Sequence, residues 1–149
     1  MRHISPIKKI SYQLGVGAGD LGALERRLVM DVLKKQRLSY GSYSRKFEES
    51  FARLHGCNFG LFVNSGTSAL RIAVATLKEA EHWNDNDEIL CPAVTFVASA
   101  NVIIMNGLRP VFVDVDPKIY NIDPAKIEAH ITSRTRAIMV VHLFGQPAD

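Results

Sequence analysis

A hydroxyl-rich loop, Asn64-Ser65-Gly66-Thr67-Ser68, is the segment of this sequence best suited to bind a ligand. Gly66 allows the main chain to approach a bound group closely, and the three hydroxyls add neutral hydrogen-bond donors. A helix is predicted to start here, and free N–H groups at a helix start attract anions. The loop therefore suits a phosphate group, although an ordinary helix cap with a turn glycine would have the same pattern. It lacks the lysine of a P-loop, so nucleoside triphosphate hydrolysis is not indicated.

A pair of acids, Asp114 and Asp116, forms a second candidate site after a predicted strand. Hard carboxylate oxygens suit Mg²⁺ or Mn²⁺, which such D-x-D pairs hold in glycosyltransferases that use nucleotide sugars. The dipeptide Asp116-Pro117 is also a common turn opener. From the residues alone, a metal-dependent glycosyltransferase-like domain and a purely structural turn both stay open.

Two further residues follow predicted strands on the side of the sheet where ligands bind. Phe96 could stack on a planar ligand, and His142 is the only histidine placed for chemistry. The alternatives are a core position for Phe96 and a structural hydrogen bond for His142. Cys57 and Cys91 are predicted to be buried or half-buried thiols without a chemical role.

Three glycines near the N-terminus, Gly17, Gly19 and Gly22, form the pattern G-x-G-x-x-G ahead of a predicted helix. A dinucleotide site would need a buried strand ending in an acid after that helix. Residues 37–43, RLSYGSY, are not such a strand. We therefore interpret the glycines as a flexible segment.

The hydrophobic pattern predicts the elements that would position these residues. Helices are predicted at Asp20–Gln36, after a Ser44 cap, around Leu70–Leu77 and after Asp123-Pro124. Thr95–Met105, which is apolar almost all round, favours a helix covered on most sides over a strand. Strands are predicted at Phe59–Val63, Glu88–Cys91, Val111–Val115 and Ala137–Val141. Solidly apolar strands that alternate with helices predict an α/β fold, with a mostly parallel sheet and crossover helices. Ligands in such a sheet bind beyond the carboxyl ends of the strands.

The composition is that of a globular protein, with 149 residues, of which 47% are hydrophobic and 22% charged. These fractions exclude a disordered chain, collagen and a coiled coil. Two cysteines are too few for a disulfide scaffold, and no apolar run resembles a secretory signal or a membrane span. A reducing, cytoplasmic compartment is therefore expected. The 18 basic residues are dispersed, so we expect no binding to nucleic acid, and no membrane partner is predicted.

Five stretches together resemble the DegT/DnrJ/EryC1/StrS family of sugar aminotransferases, which use pyridoxal 5′-phosphate (PLP). The stretches are KFEESFARLHG, VNSGTSAL, DEILCPAVTFVASANVIIMNG, PVFVDVDPKIYNIDPAKIE and ITSRTRAIMVVHLFGQPAD, in the family's order. The resemblance implies the N-terminal portion of the large domain of the aspartate-aminotransferase-like fold, known as fold type I. It also implies that Ser65, Gly66, Thr67 and Ser68 hold the cofactor phosphate and that Phe96 stacks on the pyridine ring.

The resemblance further implies a reaction and partners. Family enzymes pass an amino group, usually from glutamate, to a keto sugar carried on a nucleotide, and they are homodimers with active sites at the subunit interface. Some members remove a hydroxyl from the sugar instead, so an aminotransferase and a dehydratase both stay open. In the family, the stretch FVDVD belongs to a strand and turn and is not a metal site.

Two functional residues of the family lie downstream of the motifs matched here: the aspartate that pairs with the pyridine nitrogen and the lysine that forms the Schiff base. No residue of this sequence is therefore predicted to be catalytic, and no lysine follows a strand on the ligand side. We expect residues 41–149 to form a partial, apparently truncated PLP-binding domain after an N-terminal segment, residues 1–40. Such a chain would bind PLP weakly and be catalytically incomplete; a non-catalytic, oligomeric remnant is the remaining alternative.

Overall fold

The computed structural model describes residues 21–149. These residues fall into two compact units, which divide between Phe62 and Val63. The predicted boundary after residue 40 is a different one, because it marks where the cofactor-binding domain begins. That boundary stays a prediction. Among residues 21–149, no helix is both long enough and apolar enough to cross a membrane.

The first unit contains two helices, α1 (Ala23–Lys34) and α2 (Ser42–Leu54). The predicted start of α2 at a Ser44 cap is wrong, because Gly41 is the residue that precedes the helix in an extended conformation. The main-chain N–H of Arg45 already donates to the Gly41 carbonyl at 3.1 Å. Ser44 therefore lies inside the first turn of the helix, where its hydroxyl cannot act as the cap.

Residues 59–63 do not form the predicted strand. Phe59 is 90% exposed and Leu61 is 70% exposed, so this apolar run is not buried by the residues that the structure describes. The main-chain N–H of Phe62 donates to the Glu48 carboxylate at 2.8 Å instead of to a neighbouring strand. A strand needs a partner for its main-chain groups, and hydrophobicity alone does not supply one.

The second unit is built on three parallel strands. Its main elements are α3 (Gly66–Ala80), β1 (Glu88–Pro92), α4 (Ala98–Met105), β2 (Arg109–Val113), α5 (Pro124–Ile127) and β3 (Thr135–Ile138). The strand order is β2-β1-β3, and both outer strands run parallel to β1. Helix α4 crosses over between β1 and β2. The predicted α/β fold, a mostly parallel sheet with crossover helices, is confirmed.

The outer strands begin earlier than predicted. β2 begins at Arg109 and β3 at Thr135, two residues before the predicted Val111 and Ala137. Both of these polar residues lie opposite Glu88 in the sheet register. Neither residue is apolar, so the apolar runs that define the predicted outer strands begin only at Val111 and Ala137.

The core lies on both faces of β1, which is buried at every position. On one face, α3 and α4 cover the strand, and the members of this cluster are Val74, Ile89, Cys91, Val102, Ile103 and Leu108. On the other face, Leu90 packs with Val113 and Ile122. Burial on both faces explains why β1 reads as a continuous apolar run.

The two cysteines differ in their accessibility. Cys91 is completely buried, and burial raises the pKa of its thiol to about 11, whereas Cys57 is exposed, contrary to its predicted burial. A thiol reagent such as DTNB is therefore expected to label one thiol rapidly in the folded protein and the second only after unfolding. The Cys91→Ser variant should lack the slow phase, and rapid labelling of both thiols in the folded protein would contradict this burial.

Candidate cofactor-binding site

Helix α3 runs from the carboxyl edge of the sheet to its amino edge. Near its C-terminus, the Lys78 ammonium donates to the main-chain oxygen of Asn106 at 2.8 Å, just ahead of β2. Near its N-terminus, Leu70 lines an apolar groove together with Ile138, the last residue of β3. Gly66, the first residue of the helix, lies four residues or about 6 Å before Leu70. The loop before α3 therefore lies at the carboxyl edge, where ligands of parallel sheets bind.

The start of α3 is capped by Ser65. Its hydroxyl oxygen accepts a hydrogen bond from the Ser68 N–H at 3.1 Å, and the Ala69 N–H donates to the Ser65 carbonyl at 3.0 Å. The N–H groups of Gly66 and Thr67 have no acceptor among residues 21–149. Two free donors at the positive end of a 15-residue helix are the groups that an anion requires.

The space over Gly66 is open, since a β-carbon placed there would meet no atom within 4 Å. Thr67 and Ser68 are half-buried, while Ser65 and Gly66 are exposed. Packing among the described residues therefore does not require a glycine at position 66. A bound group that approaches the main chain closely would require one, because a side chain would occupy its space. The Ser65 hydroxyl donates to Ser68 Oγ at 3.1 Å. The residues present fit a phosphate ester, because they offer two free N–H groups and the hydroxyls of Thr67 and Ser68, and no carboxylate.

Phe96 lies between the carboxyl end of β1 and the start of α4. Its ring is 71% exposed, so a core position is excluded within the described part of the chain. Its carbonyl accepts from the Ser99 N–H at 3.0 Å, and the hydroxyls of Thr95 and Ser99 lie 2.9 Å apart. These bonds fix the main chain around Phe96 and leave the ring free to stack on a planar ligand. The helix begins at Gly66, so Gly66, Thr67 and Ser68 of the predicted loop form the first turn of α3. Phe96 and residues 65–68 thus share the carboxyl edge of the unit.

Both acids of the D-x-D pair form contacts with neighbouring residues of the chain. Asp114 lies 2.9 Å from the Lys126 ammonium, and this hydrogen bond lowers the pKa of the Asp114 carboxyl below its ordinary value. Asp116 accepts from the Lys118 N–H at 2.7 Å. Between residues 21 and 149, the structure contains no group of three or more side chains that could hold a metal ion. These contacts give both acids structural partners, as the interpretation of the pair as a structural turn predicts.

Other motifs singled out in the sequence have structural contacts or lie outside the described residues. His142 Nδ1 accepts from the Ala148 N–H at 3.0 Å, which matches its structural interpretation. Gly22 precedes α1 as its N-cap, while Gly17 and Gly19 lie outside the residues described.

Asn121 has a structural role that the sequence pattern does not predict. Asn121 is 1% exposed, and its side-chain amide binds the main chain of Leu143 and Gln146, in the loop after β3. The only local signal is a polar residue beside the apolar Ile122, and such a signal names no partner.

Comparisons with known proteins agree with this geometry. The sequence profile of the DegT/DnrJ/EryC1/StrS aminotransferase family matches residues 20–149. The GDP-perosamine synthase of Caulobacter vibrioides is 38% identical over 138 residues, which make up 92% of this chain and 36% of that protein. The dTDP-4-dehydro-2,6-dideoxy-D-glucose 3-dehydratase of Saccharopolyspora spinosa is 38% identical over 127 residues, which are 83% of this chain and 28% of that protein.

A solved structure matches as well. The Escherichia coli GDP-4-keto-6-deoxy-D-mannose-3-dehydratase with bound hydrated PLP superposes with a TM-score of 0.80 and 30% identity, covering 88% of this chain and 34% of that one. The chain thus spans about a third of the length of the relatives it matches. The predicted fold and the family's predicted cofactor are confirmed by this similarity. The relatives include a synthase and dehydratases, so membership alone does not fix the reaction. The chain belongs to the DegT/DnrJ/EryC1/StrS aminotransferase family.

Proposed function

We propose that residues 63–149 form the phosphate-binding portion of a PLP-dependent enzyme that transfers an amino group to a nucleotide-linked keto sugar. The observation that carries the proposal is the start of α3 at the carboxyl edge, where the N–H groups of Gly66 and Thr67 have no acceptor among residues 21–149 and the space around a β-carbon at Gly66 is open. PLP, when bound, supplies an electron sink for bonds broken next to an amino group.

The residues of this chain would bind and orient the cofactor. Ser65, Gly66, Thr67 and Ser68 hold the phosphate by main-chain and hydroxyl donors, and the helix dipole adds to the attraction. The ring of Phe96 covers one face of the pyridine and excludes water from it. In this arrangement the cofactor phosphate lies at the start of α3 and the pyridine ring lies beside the end of β1.

The substrate class rests on the names of the relatives, which act on sugars carried by GDP or dTDP. Glutamate as amino donor and a homodimeric assembly are proposed from the family resemblance. A dehydratase is the second candidate, because two of the three relatives described above are dehydratases.

We further propose that the 149-residue chain alone is catalytically incomplete. Lys78 and Lys126, which lie beside the sheet, are bound to Asp85 at 2.5 Å and to Asp114 at 2.9 Å. The hydrogen bond to Asp114 raises the pKa of Lys126, which keeps the amine protonated and unsuited to attack a carbonyl group. Both side chains are engaged by carboxylates, whereas Schiff-base formation requires a free amine.

The Ser65→Asp variant tests the phosphate site. Aspartate caps a helix as well as serine does, so the stability of α3 should be retained, while its charge repels a phosphate. The probe is pyridoxamine 5′-phosphate, which has no aldehyde and cannot react with surface lysines. Calorimetry should show binding to the wild-type chain that inorganic phosphate displaces, and an affinity at least about tenfold weaker in Ser65→Asp.

A matched control separates local repulsion from a change in net charge. Ser133→Asp adds the same charge in an exposed turn before β3, at the opposite edge of the sheet, and should leave the affinity within about twofold. Equal affinity of Ser65→Asp and wild type, or no binding to the wild type at millimolar probe, would overturn the proposed function.

A further inference from the structure

We propose that Phe144 is a further ligand-binding residue of this site and that Asn121 is the residue that positions it. The proposal rests on the proposed function, since it concerns a ligand bound at the same carboxyl edge. Phe144 lies in the loop after β3, and its ring is 90% exposed. β3 is a direct, parallel neighbour of β1. The loops after these two strands therefore leave the sheet at the same edge, and each carries one exposed phenylalanine, Phe96 or Phe144.

The main chain at Phe144 adopts an unusual conformation. Its φ of 55° and ψ of 24° place it in the left-handed helical region, which residues with a β-carbon seldom occupy. Such a conformation persists only where the surrounding structure holds it. A glycine would fit this position without strain, yet the chain has a large exposed aromatic here.

Asn121 supplies the contacts that hold this conformation. Its Oδ1 accepts from the Leu143 N–H at 2.9 Å, and its Nδ2 donates to the Gln146 carbonyl at 2.8 Å. The two bonds hold the main chain on both sides of Phe144. Asn121 is itself fixed, because its carbonyl accepts from the Asp116 N–H at 2.9 Å.

The loop is also closed on itself. His142 Nδ1 accepts from the Ala148 N–H at 3.0 Å, and Ala148 packs against the buried cluster of Leu90, Val113 and Ile122. The side-chain amide of Asn121 thus joins the loop after β2 to an anchored loop after β3. The described residues use the ring of Phe144 for no packing of their own, so the rigid loop presents it outward.

The chemistry of an exposed phenyl ring selects a flat, uncharged partner surface. Neighbouring strands lie about 4.8 Å apart, so a ligand seated beside Phe96 at the end of β1 lies within reach of the loop after β3. Two flat rings could occupy this place: the pyridine of the cofactor, or the base of the nucleotide that carries the sugar. Stacking on a ring is the shared chemistry, and the two sources are separated by experiment.

The first arm changes the ring and leaves the loop intact. Phe144→Asn removes the aromatic but tolerates the left-handed conformation, and Phe144→Tyr retains the ring. Calorimetry with pyridoxamine 5′-phosphate and, separately, with GDP should show at least a fivefold weaker affinity for one of the two in Phe144→Asn, and a change below twofold in Phe144→Tyr. Loss toward pyridoxamine 5′-phosphate supports the pyridine as partner, and loss toward GDP supports the base. Unchanged affinity for both probes overturns the proposal.

The second arm tests the positioning role of Asn121. Asn121→Leu removes both hydrogen bonds and keeps the same branching and number of heavy atoms. Asn121→Asp keeps the acceptor for Leu143 while facing the Gln146 carbonyl with a carboxylate. We expect at least tenfold faster chymotrypsin cleavage after Phe144, read by mass spectrometry, together with the affinity loss of Phe144→Asn. A lower melting temperature with unchanged cleavage and affinity would show a merely structural asparagine and overturn the role. Should Asn121→Leu fail to fold, Asn121→Asp decides the question.

The outcomes distinguish this proposal from the proposed function. If the wild type binds pyridoxamine 5′-phosphate in a Ser65-dependent manner while Phe144→Asn binds both probes equally well, only the present proposal falls. If the wild type does not bind pyridoxamine 5′-phosphate, the proposed function falls and this proposal falls with it.

Discussion

Replacing Ile103 with alanine is expected to lower the free energy of unfolding by about 2–5 kcal/mol. Ile103 is completely buried in α4, the crossover helix between β1 and β2, and it belongs to the same cluster as Val74 and Ile89. The truncated side chain would leave a cavity that the flanking strand cannot close, because β1 is held on both sides by its neighbours. Trp83, the single tryptophan, packs against this cluster, so its fluorescence reports urea unfolding directly.

The adjacent isoleucine provides the matched control. Ile104 is 58% exposed, and Ile104→Ala is therefore expected to change the free energy of unfolding by less than about 1 kcal/mol. Both variants remove the same atoms from neighbouring positions of one helix, so helix propensity cancels in the comparison. Equal losses in the two variants would contradict the assigned face of α4, and with it the path of the crossover.

The elements predicted best from the sequence are those whose signals are local. Ser65 and Gly66 mark the start of α3 within a few residues, and the structure places the cap at Ser65. The pair Asp123-Pro124 likewise predicts the start of α5, where the Asp123 carboxylate accepts from the Ala125 N–H at 3.0 Å. In such segments the residue that caps the helix and the N–H that it satisfies are neighbours in the chain.

The failures involve partners that are distant in sequence. Residues 59–63 have the apolar composition of a strand, but pairing depends on a neighbour that the local pattern does not contain. The early start of β2 depends on the pairing of Arg109 with Glu88 in the sheet, 21 positions away along the chain. Asn121 binds Leu143 across a similar separation, and no periodicity indicates such a bond.

The candidate site combines both kinds of information. The pattern of residues 65–68 is compatible with an anion site or with an ordinary helix cap, and the role of Phe96 depends on the family resemblance. The structure adds that both lie at one edge and that Phe96 is exposed. Their tasks in binding PLP remain predictions, and the Ser65→Asp experiment addresses the first of them.

At the opposite edge of the sheet, two buried acids are expected to make the fold sensitive to low pH. Asp87 is 4% exposed and Glu88 is 2% exposed. The Asp87 carboxylate lies 2.7 Å from the Arg136 guanidinium, and this hydrogen bond holds the pKa of Asp87 below its ordinary value. The pKa of Glu88 is also lowered, mainly by the Thr132 hydroxyl, which donates to it at 2.6 Å, and by the Arg134 guanidinium. These contacts join the amino ends of β1 and β3.

The sign of the effect follows from the direction of both shifts. The unfolded chain, with ordinary pKa values of about 3.9 for Asp and 4.3 for Glu, binds protons at a higher pH than the folded protein does. The stabilisation by these two acids is therefore complete above about pH 5 and decreases as the pH falls through the lowered pKa values of Asp87 and Glu88. Urea midpoints, followed by Trp83 fluorescence, should be constant from pH 7 to about 5 and then fall steeply toward pH 3.

The double variant Asp87→Asn, Glu88→Gln identifies the source of this acid dependence. It should be less stable than the wild type at pH 7, because Arg136 and Arg134 lose their charged partners, and its midpoint should change much less between pH 5 and 3. Asp85→Asn makes the same acid-to-amide change at a side chain that is 79% exposed, and it should retain the steep decrease. A wild-type midpoint that stays flat down to pH 3, or a double variant as acid-sensitive as the wild type, would show that the two carboxylates do not hold β3 against β1.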